Sequence, residues 1–212
     1  MSLNTKTVCK LTGLTQRQVN YWDKINFIKP SIREASGYGS ARLYSFTDLV
    51  QLKVAKTLID QGVSLQKIKK SIAYLKNNFP DIKKPLSEMR LVTDGKTVFV
   101  LTRNKKTLLD TLSKGQLVMT IAVGRIIEEL RGEVEKISQK KTHRVKIRGK
   151  SYEVILHPDL ENGGYWVECP ELPGCASQGD TVKEALEMIK DAIEGHLEVV
   201  SEDKKTRSVR TA

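Results

Sequence analysis

The sequence is poor in cysteine and in long apolar runs, and each shortage excludes a class of protein. Its three cysteines (Cys9, Cys169 and Cys175) are too few, and odd in number, for a disulfide framework. They favour a reducing compartment. The most apolar stretch, Leu117 to Ile127, is interrupted by Arg125 and is too short to cross a bilayer. The N-terminus has no apolar segment of a secretory signal. We therefore expect a cytoplasmic protein that does not span a membrane.

Positive charge is present in excess and is unevenly distributed. The 212 residues carry 36 Lys and Arg against 25 Asp and Glu, a net charge of +11. Residues 1–80 hold 13 basic and 4 acidic side chains, a net charge of +9. Residues 143–200 hold 6 basic and 11 acidic side chains, a net charge of −5. The basic front half indicates a polyanionic partner such as nucleic acid, and the acidic back half indicates a different partner.

Residues 1–78 are predicted to form four short helices and a hairpin. Thr5 is predicted to cap the first helix, which runs through Leu11 and is broken at Thr12-Gly13. The second begins at Thr15, whose spacing from Gln18 is that of a capping box. Two helices joined by such a tight turn make a helix-turn-helix arrangement.

A hairpin is predicted over residues 32–44, where Gly and Ser separate two short strands. The second helix before it turns polar and basic side chains outward, and the hairpin adds two arginines. Arg and Lys bind guanine edges or phosphates, whereas Asn and Gln suit adenine edges. This pattern predicts a surface for double-stranded DNA. The candidate DNA-binding residues are Gln16, Arg17, Gln18, Asn20, Tyr21, Lys24, Arg33 and Arg42.

Residues 3–76 resemble the winged helix-turn-helix of MerR-type transcriptional regulators. The resemblance rests on Thr15-Gln-Arg-Gln-Val-Asn-Tyr-Trp22, on the hairpin, or wing, that ends Ala41-Arg-Leu-Tyr44, and on Phe46-Thr-Asp-Leu49. It implies that Arg17 and Tyr21 contact DNA from the recognition helix and that Arg42 does so from the wing. The family usually has Arg-Tyr-Tyr where this chain has Asn-Tyr-Trp, so the preferred operator is expected to differ.

Residues 79–142 are predicted to form a linker, a hairpin and a long helix. Asp94-Gly95 is typical of a hairpin turn, and the helix is predicted from Gln116 to about Ile137. Apolar residues in this helix recur at steps of four and three, a seam of two heptads. The seam is a candidate interface of a homodimer or higher homo-oligomer. Its residues are Val123, Ile127, Leu130, Val134 and Ile137.

Residues 143–200 predict a compact α+β domain closed by a helix that begins at Thr181, and residues 201–212 predict a polar tail. The runs 164–175 and 177–186 resemble the HicB family of antitoxins. This resemblance implies a degenerate ribonuclease-H-like fold, loop positions for both cysteines, and a partner that is a small, RNA-cleaving toxin. HicB-type antitoxins commonly carry a DNA-binding segment after this core, and about a dozen polar residues are too few for one. DNA binding is therefore expected at the front.

Metal binding and catalysis are both disfavoured. Cys169 and Cys175, with His157 upstream, have neither the close spacing nor the fourth ligand of a zinc site. No histidine is spaced to activate a thiolate. Four carboxylates suggest a metal-dependent nuclease, but their spacing does not follow that of a nuclease quartet. These carboxylates are Glu153, Asp159, Glu168 and Asp180.

The acidic residues near the loop 170–174 predict a docking surface, because opposite charge speeds encounter with a basic protein. They are Glu161, Glu168 and Glu171. The alternative is that these carboxylates form a solvated face. The whole sequence thus predicts a non-enzymatic, sequence-specific DNA-binding regulator with no cofactor and a HicB-like interaction domain. An antitoxin that also represses its own operon and a nucleic-acid enzyme are the alternatives.

Overall fold

The chain combines helices and small antiparallel sheets in two compact units, Met1–Val134 and Glu135–Ala212. Among the described residues, no helix combines the length and the apolar character needed to span a bilayer. The structure is a computed structural model, and it describes residues 1–35, 40–78, 80–81, 83–88, 91–93, 98–100 and 119–210.

The described part of the N-terminal unit is mainly helical. Its helices are α1 (Thr5–Thr12), α2 (Gln16–Lys24), α3 (Phe46–Asp60), α4 (Leu65–Asn78), α5 (Pro85–Glu88) and the start of α6 (Val123–Ser138). Its strands are β1 (Leu3–Asn4), β2 (Leu43–Tyr44), β3 (Leu91–Thr93), β4 (Val98–Val100) and β5 (Met119–Ile121). They form two antiparallel sheets, β1–β2 and β4–β3–β5.

The predicted helix-turn-helix is confirmed, and so are the turn glycine and the capping box that define it. Gly13 follows α1 with a φ of 77°, a left-handed conformation that favours glycine, and its N–H donates to the Cys9 carbonyl. Both hydrogen bonds of the capping box between Thr15 and Gln18 are present. Thr5 was predicted to cap α1, and this prediction is wrong: the cap is Asn4, whose Oδ1 accepts from the Thr7 N–H at 2.9 Å. The apolar side of the two helices is buried, at Val8, Leu11, Leu14, Val19 and Trp22.

The predicted hairpin of residues 32–44 is present at its base. Arg33 and Leu43 form a bridge with backbone hydrogen bonds of 2.9 and 3.2 Å. The loop at residues 36–39 lies outside the described residues. The sequence did not predict β1, which pairs with β2 and ties the N-terminus to the end of the wing.

The central segment differs from its prediction in one element. β3 and β4 pair as predicted, from Thr93 opposite Val98, and their turn at Asp94-Gly95 lies outside the described residues. The helix predicted from Gln116 was wrong in its first part, because β5 pairs with β3 before α6 begins at Val123. Residues 116–118 are not described.

Part of the predicted seam on α6 is already used within the chain. Val123, Leu130 and Val134 are buried at 7%, 1% and 6% exposure. Ile127 and Ile137 are half-buried. Only these two therefore offer much apolar surface to a second copy.

The C-terminal unit is a four-stranded antiparallel sheet covered by one long helix. Its elements are β6 (Lys141–Ile147), β7 (Lys150–Pro158), β8 (Tyr165–Glu168), β9 (Ala176–Gly179) and α7 (Val182–Arg210), with the strands in that order. Ala185, Ile189 and Ile193 of α7 are fully buried in its core. Val200, in the same helix, is 39% exposed. Residues 201–210, predicted as a polar tail, continue this helix, since nothing there breaks it.

The strand β6 lies at one edge of this sheet in the described part of the chain. Val145 and Ile147 face the core, and the exposed Arg144 and Lys146 alternate with them. Positive side chains therefore follow the open edge of a unit that is otherwise acidic.

Candidate nucleic-acid interface

The helix α2 presents a polar stripe to solvent. Arg17, Tyr21 and Lys24 are exposed on one side, because residues four and three apart in a helix are neighbours. Tyr21 is 53% exposed, whereas Trp22 on the opposite side is 2% exposed. Gln16 is exposed in the first turn, which contains no acidic residue. The positive end of the helix dipole there favours an anion such as phosphate.

Two other predicted DNA-binding residues are turned partly inward. Gln18 is half-buried, and its Oε1 accepts from the Thr15 N–H at 2.9 Å, so its side chain serves the helix cap. Asn20 is half-buried, and its Oδ1 is buried without a hydrogen-bond partner in the described part of the chain. The outward stripe is therefore narrower than the predicted set.

Each wing arginine makes a hydrogen bond inside the unit through Nε. Arg33 donates to the Ala41 carbonyl at 3.1 Å, which joins the two sides of the wing. Arg42 donates to Asp23 Oδ2 at 2.6 Å, which joins the wing to the last turn of α2. A guanidinium has five N–H donors, so these bonds are compatible with further contacts.

Tyr44 lies behind this ion pair. Its side chain is fully buried, and its hydroxyl has no hydrogen-bond partner among the described residues. Burial, and then the negative charge of Asp23, raise the pKa of Tyr44 far above its ordinary value. The phenol therefore stays neutral and packs as part of the core beneath the wing.

Asp48, 1% exposed, holds three segments together at the end of the wing. Its Oδ2 accepts from the Ser31 N–H and the Ser45 N–H, each at 2.9 Å, and its Oδ1 accepts from Lys84 Nζ at 2.8 Å. Burial alone would raise the pKa of Asp48, but the hydrogen bonds from Lys84, Ser31 and Ser45 outweigh it and hold the pKa below its ordinary value. The carboxylate thus stays charged while it orders the wing.

Two lysines donate hydrogen bonds to backbone carbonyls at the C-terminal ends of α1 and α2. Lys53 Nζ donates to the Leu11 carbonyl at 3.1 Å in α1, and Lys69 Nζ donates to the Ile25 carbonyl at 3.3 Å, just after α2. Cations suit the last carbonyls of a helix because these carry partial negative charge. α3 and α4 therefore hold both helices of the motif by charge as well as by packing.

Comparison with known proteins finds a match to a family model at each end of the chain. Residues 3–75 match the model of the MerR HTH family of regulatory proteins. Residues 152–211 match the model of HicB-like antitoxins of bacterial toxin–antitoxin systems. The chain joins a MerR-type helix-turn-helix domain to a HicB-like domain. Both resemblances seen in the sequence are thereby confirmed.

Individual relatives match different parts of the chain. An uncharacterized HTH-type transcriptional regulator of Mycobacterium tuberculosis is 38% identical over 128 residues, which are 60% of this chain and 55% of the relative. GlnR of Bacillus cereus, an HTH-type transcriptional regulator, is 33% identical over 76 residues, 36% of this chain and 56% of the relative. Antitoxin HicB 1 of Photorhabdus laumondii is 45% identical over 62 residues, 29% of this chain and 39% of the relative. The chain spans about half the length of the first of these.

The three glutamates predicted for docking are spread over the HicB-like domain in different roles. Glu168 Oε1 lies 2.9 Å from His157 Nε2. Glu171 accepts from the Glu153 N–H at 3.2 Å and from Lys150 at 3.3 Å, and these two contacts lower its pKa. Glu161 is half-buried. Glu168 and Glu171 thus already have partners within the domain.

A groove near the start of β8 and the end of β9 was not predicted. It has a volume of about 590 Å³. Trp166, 41% exposed, stacks on His157 with ring centroids 3.6 Å apart, and Met188 is 46% exposed. Among the described residues that line the groove, three are carboxylates and none is Lys or Arg. The carboxylates are Asp159, Asp180 and Glu184, and Tyr165, Trp166 and Met188 supply apolar surface. The groove is therefore acidic with apolar walls.

The two cysteines and Asp159 of this domain have structural roles. The Cys169 N–H donates to the Cys175 carbonyl at 3.0 Å, and both thiols are buried, which raises their pKa. Asp159 Oδ1 accepts from the N–H groups of Glu161 and Asn162 in a tight loop. In the part of the chain that the structure describes, no three His, Cys, Asp or Glu side chains lie close enough together to hold a metal ion.

Sequence reasoning missed the acidic residues that order the wing. Asp23 and Asp48 find their partners 19 and 17 residues away along the chain, and Lys84 lies 36 residues from Asp48. No local pattern marks such contacts. Two local signals pointed to the residues themselves: the capping-box spacing of Ser45 and Asp48, which the structure bears out, and an isolated acidic residue in the last turn of α2, where the helix dipole disfavours it.

Proposed function

We propose that this chain is a sequence-specific, non-enzymatic DNA-binding transcriptional regulator that acts in the cytoplasm, with residues 1–78 as its DNA-binding domain. The observation that carries this proposal is the exposed stripe Arg17, Tyr21 and Lys24 beside a wing, in a segment of net charge +9. The relatives named as transcriptional regulators support it. The stripe supplies readers of base edges, and the wing fixes their register on the backbone.

We further propose that it binds as a homodimer or higher homo-oligomer. One winged domain offers little contact area, and two-fold dimers that read paired half-sites are the usual solution. The half-buried Ile127 and Ile137 on α6 and the HicB-like domain, residues 143–200, are the two candidate interfaces. A degenerate ribonuclease-H-like fold for this second domain is consistent with its antiparallel sheet and covering helix.

Selection of duplexes from a random pool, followed by titration of the full chain, tests the function. We expect affinity for the selected duplex to fall about a thousandfold between 50 and 200 mM salt, since several phosphate contacts release counterions. Arg17→Ala should cost about 1–3 kcal/mol on that duplex and much less on a scrambled one. The titration end point should give two chains per duplex. No binding to any selected duplex at low salt would remove the proposal.

Lys76→Ala is the matched control. Lys76 is an exposed cation in the last turn of α4, outside the stripe and the wing. Its removal should weaken the selected and scrambled duplexes by the same small factor. Equal losses of specificity for the two variants would exclude a base-reading role for Arg17.

A second candidate function is binding of a basic protein by the HicB-like domain, and it is supported by the relative named as an antitoxin. The acidic groove favours it. Asp180 and Glu184 supply negative charge, and Trp166 and Met188 supply apolar surface for the stem of a Lys or Arg side chain. A small basic toxin would fit this description.

A fluorescent Lys- and Arg-rich peptide tests the groove in the full chain. Trp166→Ala should weaken its binding more than tenfold, because exposed aromatic anchors dominate such interfaces. Asp180→Asn should mainly slow association, and Glu187→Gln, an exposed carboxylate paired with Lys183, should change little. Binding of a Glu-rich peptide of the same length, or an unaltered affinity in Trp166→Ala, would rule the groove out.

A further inference from the structure

The ion pair between Asp23 and Arg42 joins two elements that the proposed function places against DNA. Asp23 lies in the last turn of α2, and Arg42 directly precedes β2 at the end of the wing. The Nε–Oδ2 distance is 2.6 Å, and only 13% of the Asp23 side chain and 28% of the Arg42 side chain are exposed. A charge-assisted hydrogen bond that is this short and partly desolvated is stronger than an ordinary surface pair.

The contact with Arg42 is the explanation that the structure offers for an acidic residue at position 23. The C-terminal end of a helix carries partial negative charge, which repels a carboxylate. A carboxylate beside a DNA-facing stripe also repels phosphates. Both effects oppose an acidic residue at this point, and the contact with Arg42 compensates for them.

Both partners stand on fixed backbone. Asp23 follows the buried Trp22, and its carbonyl accepts from the Asn26 N–H at 2.9 Å. Arg42 precedes Leu43, which is 3% exposed and pairs with Asn4 in β1 and with Arg33 across the wing. The hydrogen bond between them therefore links the end of the wing directly to the recognition helix.

We propose that Asp23 is a positioning residue that acts through Arg42 to hold the wing at a fixed distance from α2 before DNA binds. This inference rests on the proposed DNA-binding function. Holding the two elements in place beforehand lowers the cost of ordering them on the duplex, which raises affinity without any contact between Asp23 and DNA.

The direction in which Asp23→Asn changes the affinity for DNA distinguishes a positioning role from simple electrostatics. Asp23→Asn removes a negative charge and should therefore tighten DNA binding if charge alone matters. Positioning predicts the opposite, a loss of about tenfold on the selected duplex at fixed salt. Glu34→Gln is the matched control, since Glu34 is an exposed carboxylate of the wing paired with Lys29, and its neutralisation should leave affinity unchanged or raise it.

A double-mutant cycle and one spectroscopic signal complete the test. Asp23→Asn in an Arg42→Gln background should have little further effect, because both changes break the same contact. In the free protein, the Arg42 Nε–H resonance should be protected from exchange and should lose that protection in Asp23→Asn. Thermal unfolding should show that the single variants remain folded at the temperature of the titration.

The outcomes distinguish two failures. If the wild-type chain binds no selected duplex at low salt, the proposed function fails and the positioning role fails with it. If the wild type binds and Asp23→Asn binds as tightly or more tightly, only the positioning role is overturned. An unprotected Arg42 Nε–H in the free wild-type chain would also overturn it.

Discussion

We expect Asp48→Asn to lower the free energy of unfolding of the N-terminal unit by about 3 kcal/mol. The Asp48 carboxylate is 1% exposed and accepts hydrogen bonds from two backbone N–H groups and the Lys84 ammonium. An amide has the same shape but one oxygen, so its NH2 group would face a donor. Hydrogen bonds to charged groups contribute about 1.5–3 kcal/mol each and do not simply add. Hydrogen exchange resolved by peptide should show faster exchange over α3 in the variant.

The effect of this substitution depends on pH in a defined direction. The pKa of Asp48 is lower in the folded unit than its ordinary value, so its contribution is complete above about pH 4 and is lost as the pH falls through the folded-state pKa. The difference between wild type and Asp48→Asn should therefore shrink in acid. Asp60→Asn, in an exposed pair with Lys56, should show neither effect. A constant difference from pH 7 to pH 2 would contradict this account.

We expect Gly179→Ala to destabilise the HicB-like domain by about 3 kcal/mol. A Cβ at residue 179 would lie 2.5 Å from the Ala185 nitrogen and 3.0 Å from its Cα, both backbone atoms in the first turn of α7. Backbone cannot move aside as a flexible side chain can, so β9 and α7 would have to separate. Overpacking of this kind costs about 1–3 kcal/mol or more. Denaturant unfolding, monitored by hydrogen exchange of the β7 amides, measures this loss of stability.

Gly195→Ala is the same chemical change, but we expect it to change the stability of the domain in the opposite direction. Gly195 lies within α7, and a Cβ there would meet nothing within 4 Å. Alanine favours a helix over glycine by up to about 1 kcal/mol, so this variant should be slightly more stable than wild type. Equal destabilisation by the two substitutions would show that close approach at residue 179 is not the cause.

The recognition helix could be predicted from the sequence because its determinants are local. The capping box of Thr15 and Gln18 and the buried spacing of Val19 and Trp22 lie within one helix, and they determine which side of it meets solvent. The exposed positions of Arg17 and Tyr21 follow directly. The same reasoning located the sheet and the covering helix of the C-terminal unit.

What the sequence did not predict depends on contacts between distant segments. β1 and β2 have two residues each, too short for a pattern, and they pair across about forty residues of chain. The strand Met119–Ile121 has three residues and lies in a short, largely apolar run, which does not distinguish a strand from a helix. Arg42 was correctly placed on the wing, but its bond to Asp23 needs the turn geometry of the whole domain.

The basic edge of the C-terminal sheet has a consequence for self-association. An edge strand presents unpaired backbone groups, and a second strand can add to them without limit, which leads to fibrous aggregates. Lys141, Arg144 and Lys146 along β6 repel an approaching copy of the same strand. Neutral, β-branched residues in their place would remove that barrier. These cations therefore disfavour the addition of a second strand at this edge of the sheet.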